Sequence, residues 1–324
     1  MYTKGFGSEE EAKFPNIVNI CVLRGACPCS CVHCPVGSHE IAGRTDFFGK
    51  EVIDLKLYKK IINEISQYPH STVRIHSVGE PLLWPKLIEA LRYAKGKNVK
   101  TWVFTSLVTT NQDRIEGLAE YSDILEISLN SIDAEDYLET KGTDSFDLVT
   151  RNIKFISELI KRKNLGTRLL LSRVQSKDKQ KDSRFVEYWQ ETGFAKDCFI
   201  RSYHDYNGVL TKDKSSKRKI FPCRVHWARF NIDTNGDAAV CFNELFKGPR
   251  VEKSLVLGNL KKSSIAEIWQ GEMINKIREA QLTADYDRVD FTEKLPCFNC
   301  TYCQPMFGKN VTSEHQIKVL AKSR

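Results

Sequence analysis

No run among the 324 residues approaches the roughly 20 consecutive apolar side chains that a membrane-crossing helix requires. The opening segment MYTKGFGSEEEAKFPN sets acidic residues where a secretory signal needs an apolar stretch. Both absences lead us to expect a cytoplasmic protein that makes no use of a membrane. There is no internal repeat and no low-complexity tract, which excludes solenoids and fibrous arrays. With 41% apolar and 28% charged residues, a mostly disordered chain is excluded as well. Charge is only mildly one-sided: 49 Lys and Arg against 41 Asp and Glu leave +8. The densest basic runs, 177–181 and 212–219, lack apolar periodicity and read as solvated loops, so nucleic acid is not the expected partner.

Cysteine is what the chain has in excess. Eleven of them in a chain without a secretory signal do not make a disulfide framework in a reducing compartment, so metal or redox chemistry is expected. They fall into two groups, at 21, 27, 29, 31 and 34 and at 223, 241, 297, 300 and 303, with Cys198 between. Two metal sites follow from that placement.

Between the groups, β-branched runs alternate with helical patterns, the mark of an α/β fold with a parallel sheet. Strands are expected over 16–23, 72–77, 100–106, 123–129, 167–174 and 198–203. Helical spacing joins Leu57, Ile61, Ile62, Ile65 and Tyr68, then 85–95, 112–121, the Phe146, Val149, Ile153, Ile156 and Ile160 face, and 184–191. These βα units predict a partial (β/α)6 TIM-type barrel, whose chemistry gathers at the C-terminal ends of the strands. Past the second basic run the texture changes. Strands over 230–233 and 238–242 flank the hairpin turn Asn235-Gly236, and Ser264 with Glu267 forms a capping box before Ile268, Trp269, Met273 and Ile277. The expected organisation is an N-terminal extension (1–15), the barrel (16–215), a small hairpin-plus-helix domain (216–310) and a tail (311–324).

Cys27, Cys31 and Cys34 are spaced C-x3-C-x2-C on the loop after the first strand. Three thiolates there suit a 4Fe-4S cluster with one iron left open, although C-x2-C elbows also serve zinc. With that spacing in that place, the chain resembles the radical S-adenosylmethionine (radical SAM) superfamily. The resemblance implies that the open iron takes the amino and carboxylate groups of S-adenosylmethionine, and that one electron from the cluster releases a deoxyadenosyl radical. His33 stands where the family usually has an aromatic residue over the adenine. The segment His76-Ser-Val-Gly79-Glu80-Pro81 is similar to the family's Gly-Gly-Glu-Pro approach to the methionine amino group, with Val78 replacing the first glycine. Ser128-Leu-Asn130 is similar to the Ser-x-Asp segment that holds ribose and carboxylate, with Asn130 replacing the acid. Ser106 and Arg173 occupy positions where relatives contact the nucleoside and the methionine carboxylate.

Cys223 and Cys241 flank the hairpin, with twelve and four residues between them and Gly236, and Cys297-x2-Cys300 supplies a second elbow. Four thiolates can hold an iron-sulfur cluster or a zinc ion. The C-x12-G-x4-C pattern, the turn Leu257-Gly258-Asn259-Leu260 and the late elbow resemble the SPASM auxiliary-cluster region or its shorter twitch form. The tail, Cys297-x2-Cys300-x2-Cys303, is too short for two auxiliary clusters, so the resemblance implies two 4Fe-4S clusters per chain and leaves Cys303 as a spare thiol or hydrogen-atom donor. With its first cluster cysteine at residue 27, the chain is not expected to carry an N-terminal peptide-recognition domain, and a small-molecule substrate is expected. The architecture is similar to that of twitch-type aminocyclitol dehydrogenases. That implies oxidation of a sugar or aminocyclitol alcohol, an auxiliary cluster accepting an electron, and an external donor such as flavodoxin or ferredoxin. Arg201 is the candidate to hydrogen-bond the alcohol, with His204, Asp205 and Asn207 beyond it as polyol contacts. A sugar epimerase using Cys303 or Cys198 as hydrogen donor, and a peptide-modifying maturase, are the alternatives.

Overall fold

Strand β1 (Ile17–Arg24) is buried along its whole length, as a central strand covered on both faces must be. The computed structural model describes residues 8–203, 205–206, 208–210, 223–283, 285, 295 and 297. Within them β1 is followed by β2 (Thr72–Val78), β3 (Lys100–Thr105), β4 (Ile124–Ser128), β5 (Arg168–Val174) and β6 (Asp197–Arg201), then by β7 (Arg229–Ile232), β8 (Asp237–Ala239) and β9 (Val256–Asn259). The helices are α1 (Glu9–Lys13), α2 (Arg44–Phe48), α3 (Leu55–Ile65), α4 (Leu87–Gly96), α5 (Gln112–Tyr121), α6 (Ala134–Lys141), α7 (Phe146–Arg162), α8 (Lys179–Glu191), α9 (Val225–Ala228), α10 (Ile265–Trp269) and α11 (Glu272–Thr283). Strands β1 to β6 pair in sequence order and in parallel. The six units form a partial TIM-type barrel of the α/β class. Among the described residues no helix is long and apolar enough to cross a membrane.

Three elements differ from the sequence pattern. The helix opened by the Ser264 cap ends at Trp269, and Met273 and Ile277 lie on the separate helix α11. α3 buries Leu57, Tyr58, Ile61, Ile62 and Ile65 but stops at a Ser66 cap, so Tyr68 lies past its end and stacks on Phe14 with ring centroids 3.9 Å apart. The basic run 177–181 is exposed as expected, yet Asp178 accepts from the backbone N–H of Gln180 and Lys181 and starts α8 there. An N-cap outweighs the lack of apolar spacing in a first turn.

The hairpin does not stand apart from the barrel. Strand β7 pairs in parallel with the free side of β1, matching Asn19 with Asn231, and β8 and β9 continue the same sheet antiparallel. Inside the barrel Ile17, Trp102, Ile124, Leu170 and Phe199 form an apolar plug of their own, which closes its N-terminal end.

One side chain locks the two parts together. The Arg24 guanidinium, buried at the end of β1, donates from Nε and Nη2 to the two carboxylate oxygens of Asp233 at 2.8 and 2.6 Å. Its Nη1 donates to the carbonyls of Phe48, Leu245 and Gly248 at 3.1, 3.0 and 2.9 Å. Asp233 heads the hairpin turn, so the charge pair fixes the turn to the strand that precedes the cysteine loop. Removing one partner leaves a buried charge, which costs about 3–5 kcal/mol. Asp233→Ala should therefore lower the anaerobic urea midpoint by that amount of stability, and an unchanged midpoint would show that the pair holds nothing together.

Candidate active site

The chain leaves β1 through Gly25 and enters the cysteine loop, which is fastened from three directions. Backbone bonds from Gly25 N to Val78 O (2.7 Å) and from Glu80 N to Ala26 O (2.8 Å) tie its start to the end of β2. Gly79 sits between them with φ of +150°, where an added Cβ would meet Ala26 O at 2.3 Å, so only glycine permits this approach. The buried Arg44 of α2 donates to the carbonyls of Cys27 and Cys29 at 3.0 and 2.8 Å and to Ser30 Oγ at 2.7 Å. From the far side the last turn of α6 accepts Ser30 N on Lys141 O and Val32 N on Thr140 O.

A cavity of about 330 Å³ opens at the C-terminal ends of the strands and is lined by Cys27, Cys31 and Cys34 together with Cys223, Cys241 and Cys297. The two cysteine groups, nearly 200 residues apart, thus share one chamber. Cys300, Cys303, His204 and Asn207 lie outside the described residues, and Asp205 is buried but does not line the chamber. Among the described residues no three His, Cys, Asp or Glu side chains converge on a point that would clasp one ion. Three thiols on one loop suit an iron-sulfur cluster, whose soft iron favours thiolate ligands. Cys29 also faces the chamber, in hydrogen-bond contact with Cys27 and Cys31. The contact with Cys27 pushes the Cys29 thiol up to about 11, contact with Cys29 raises Cys31 further, and burial takes Cys34 up to about 11. Iron binds thiolate and offsets that cost.

His33, Gly79, Glu80, Pro81, Ser106 and Ser128 all line the same chamber. Burial, with Lys141 and Arg173 nearby, takes His33 down to about 3, so it presents a neutral planar ring. Glu80 is a latch between strand ends. Its Oε1 accepts from Thr105 Oγ1 (2.6 Å) and Leu82 N (3.0 Å), and its Oε2 from Ser106 N (2.7 Å) and Ser106 Oγ (2.6 Å).

Asn130 and Arg173 are not part of the chamber lining. Asn130 adopts a left-handed φ of +72° and accepts from Val174 N at 2.7 Å, which closes the end of β4 onto β5. Arg173 donates to the carbonyl of Asn130 and is held by Asp136 at 2.8 Å and Asp182 at 3.0 Å, carboxylates supplied by α6 and α8.

Two cations were not evident in the sequence. Lys141, buried at the end of α6, lines the chamber and donates to Ser128 O at 2.7 Å. Burial opposes its charge, but Cys31, Cys29 and Cys27 outweigh that and raise its pKa. On the opposite wall, Gln281 Oε1 accepts from Trp227 Nε1 and Cys223 N, both at 3.2 Å. That leaves Gln281 Nε2 to donate to His226 Nδ1 at 2.5 Å, so the proton of neutral His226 sits on Nε2. Burial and Arg278, the second of these cations, take His226 down to about 4.

Residues 17–182 match the family model of the radical SAM superfamily, and residues 223–301 match SPASM, an iron-sulfur cluster-binding domain. The chain belongs to the radical SAM superfamily. The two matches imply 4Fe-4S clusters and S-adenosylmethionine as its cofactors, in keeping with the thiol-lined chamber. No curated protein matches the chain. Its fold is similar to that of Streptococcus suis SuiB bound to the precursor peptide SuiA, at TM-score 0.63 and 15% identity over 82% of this chain and 67% of that one. It is also similar to BtrN in complex with AdoMet and 2-DOIA, at TM-score 0.55 and 14% identity over 92% and 97% of the two chains. A third similar structure is anSMEcpe with bound AdoMet and the Cp18Cys peptide, at TM-score 0.57 and 14% identity over 95% and 99%.

Two outcomes follow for the radical SAM site. Gly79→Ala should displace the cysteine loop, and iron analysis after anaerobic reconstitution should find markedly less than the wild-type content. Glu80→Gln turns an amide NH2 toward the Ser106 donors. It should weaken S-adenosylmethionine binding by at least about tenfold in equilibrium dialysis without loss of iron; an unchanged affinity would remove Glu80 from cofactor binding.

Proposed function

We propose that this radical SAM enzyme oxidises a secondary alcohol on a small polar substrate, a sugar or an aminocyclitol, with the second cluster as the internal electron acceptor. One observation supports the reading: the thiols of both cysteine groups line the same chamber, so a substrate between them is beside both centres. Bound S-adenosylmethionine supplies the radical that takes a hydrogen atom from the carbinol carbon. Cys27, Cys31 and Cys34 hold the first cluster. Cys223, Cys241, Cys297 and Cys300 hold the second.

The remaining work falls to the chain. Arg201 lines the chamber, and Glu126 fixes it through bonds of 2.6 Å to Nε and 2.5 Å to Nη2. Its Nη1 is left to meet the alcohol oxygen and draw off its developing charge as the hydroxyl proton leaves. His76, stacked on Phe104 at 4.4 Å, gives that region a flat wall that limits water. His33 covers the adenine, and Ser106 and Ser128 meet the nucleoside, while Asn130 and Arg173 keep the strand ends in place behind them. The expected setting is the cytoplasm, with a flavodoxin- or ferredoxin-type electron donor.

BtrN, with 2-DOIA bound, is a fold relative that supports a cyclitol-sized substrate. SuiB and anSMEcpe bind peptides on the same fold, so a peptide maturase is a competing outcome of the test. An epimerase must return a hydrogen atom from a thiol. Cys198 is buried in β6 and is not among the described residues that line the chamber, so the test of that role falls on Cys303.

The mass of the product decides. Oxidation yields a ketone two mass units lighter, adds no fixed deuterium from deuterated water at the reacting carbon, and keeps turnover within a few-fold in Cys303→Ala. Equal masses, deuterium at that carbon and an inactive Cys303→Ala enzyme would establish epimerisation instead.

A further inference from the structure

Beside the second cysteine group, His226 brings a buried donor to the chamber wall that the chemistry described so far does not use. The residue is 2% exposed and lines the chamber together with Cys223, Cys241 and Cys297. Its backbone is held at both ends. His226 N donates to Cys223 O at 3.1 Å, which closes the turn that starts at the first cysteine of the group. The His226 carbonyl accepts from Arg278 Nε at 2.8 Å, and the same guanidinium donates from Nη1 to Trp269 O at 2.9 Å and to Asn275 Oδ1 at 3.0 Å. Helix α9 is thereby tied to α11 and to the end of α10.

The side-chain contacts decide which ring nitrogen carries the hydrogen. Trp227 Nε1 and Cys223 N both donate to the amide oxygen of Gln281, so the amide nitrogen faces His226 Nδ1, and Nδ1 must accept. Nε2 is then the donor. The carbonyl of Val240, one residue before Cys241, acts on the same ring, yet Nε2 is buried and meets no acceptor in hydrogen-bond geometry among the described residues. A buried N–H left in that state costs its full desolvation, so the chamber is expected to supply an acceptor. The sulfurs of an iron-sulfur cluster are such acceptors, and the Gln281 amide that orients this donor also holds the backbone of Cys223.

We infer that His226 donates its Nε2 hydrogen to a sulfur of the second cluster and so raises the reduction potential of that cluster. Reduction adds one negative charge to the cluster, and an N–H dipole aimed at its sulfurs offsets that charge, so the bond favours the reduced form. Gln281 is a positioning residue in this arrangement: its amide fixes the tautomer and holds Nε2 as the donor. No bond is made or broken, and the effect is a bias on a one-electron equilibrium. Such a bias suits a centre that takes an electron from a substrate radical. Only that use rests on the proposed oxidation; the hydrogen bond itself requires the second cluster alone.

The test uses the reconstituted holoenzyme and reads the cluster rather than turnover. An anaerobic potentiometric titration is followed by electron paramagnetic resonance, and the second cluster is told from the first because its signal does not respond to added S-adenosylmethionine. His226→Phe keeps a flat ring and deletes the donor. It should lower the ratio of reduced to oxidised second cluster at a fixed potential by at least about tenfold, a shift of about 59 mV for one electron. His226→Gln, which returns an N–H donor, should recover part of that loss. Isotopic nitrogen labelling of histidine should reveal a weak nitrogen coupling to the reduced second cluster in the wild type and none in His226→Phe. Iron content and circular dichroism establish that the variants fold and keep both clusters. If His226→Phe loses the second cluster, the label in the wild type still decides: no coupling overturns the inference, and so does the strong coupling of a directly bound nitrogen. An unchanged midpoint in an intact His226→Phe protein overturns it as well, because Nε2 then serves another acceptor such as the substrate. Product mass and deuterium incorporation report on the oxidation separately, so either idea can fail while the other stands.

Discussion

The whole arrangement depends on a buried guanidinium at the end of the first strand. Arg24 donates from Nε and Nη2 to the Asp233 carboxylate, and its Nη1 hydrogens are shared among the carbonyls of Phe48, Leu245 and Gly248. A buried arginine is tolerated only when its charge and all its donors are met, so these four segments cannot drift independently. The residue after Arg24 begins the cysteine loop, and Asp233 begins the hairpin whose far strand leads to Cys241. The same contact therefore sets the distance between the two cysteine groups. Parallel pairing of β1 with β7 carries that constraint along the sheet.

Around this joint, the chamber is assembled by charges and backbone bonds more than by apolar packing. Arg44 clamps the cysteine loop from α2, Lys141 closes it from α6, and Glu80 draws the end of β3 against the end of β2. Each group is buried and each is satisfied, which is why an alteration at one strand end is expected to be felt at the cofactor. Glu80 and Ser106 act as one unit here: the carboxylate that the family resemblance associates with the methionine end is also the acceptor that orients the serine on the nucleoside side.

Much of this was legible from residue spacing. The parallel strands are short segments rich in β-branched and aromatic residues, and C-x3-C-x2-C follows the first of them directly. The remainder depends on contacts that spacing does not encode. Helix α6 has only Tyr137 and Lys141 buried, so it shows no apolar periodicity, and a buried lysine is the opposite of what composition suggests. Asn130 lies just past the end of β4 and Arg173 near the end of β5, and neither is among the lining residues of the chamber. Their side chains are claimed by Val174, Asp136 and Asp182, and the carboxylates come from helices whose packing only the folded chain reveals. The pairing of Asn19 with Asn231 spans 212 residues and is equally invisible to local patterns.

The electrostatics of the chamber also assign its charge to one residue type. His33, His76 and His226 are each held below the normal histidine range, in every case first by burial and then by a neighbouring arginine or lysine. In all three the neutral ring is favoured, so they supply flat, uncharged surfaces. Arg74, Arg201, Arg229 and Lys141 are the basic side chains that share the chamber wall with these histidines. Histidines in such a field cannot act as general acids near neutrality, because the cations around them disfavour protonation. Under the proposed oxidation, Arg201 would stabilise the oxygen that a departing hydroxyl proton leaves behind. A fixed cation lowers the cost of that developing charge but takes up no proton, so the acceptor of the proton is a group other than Arg201.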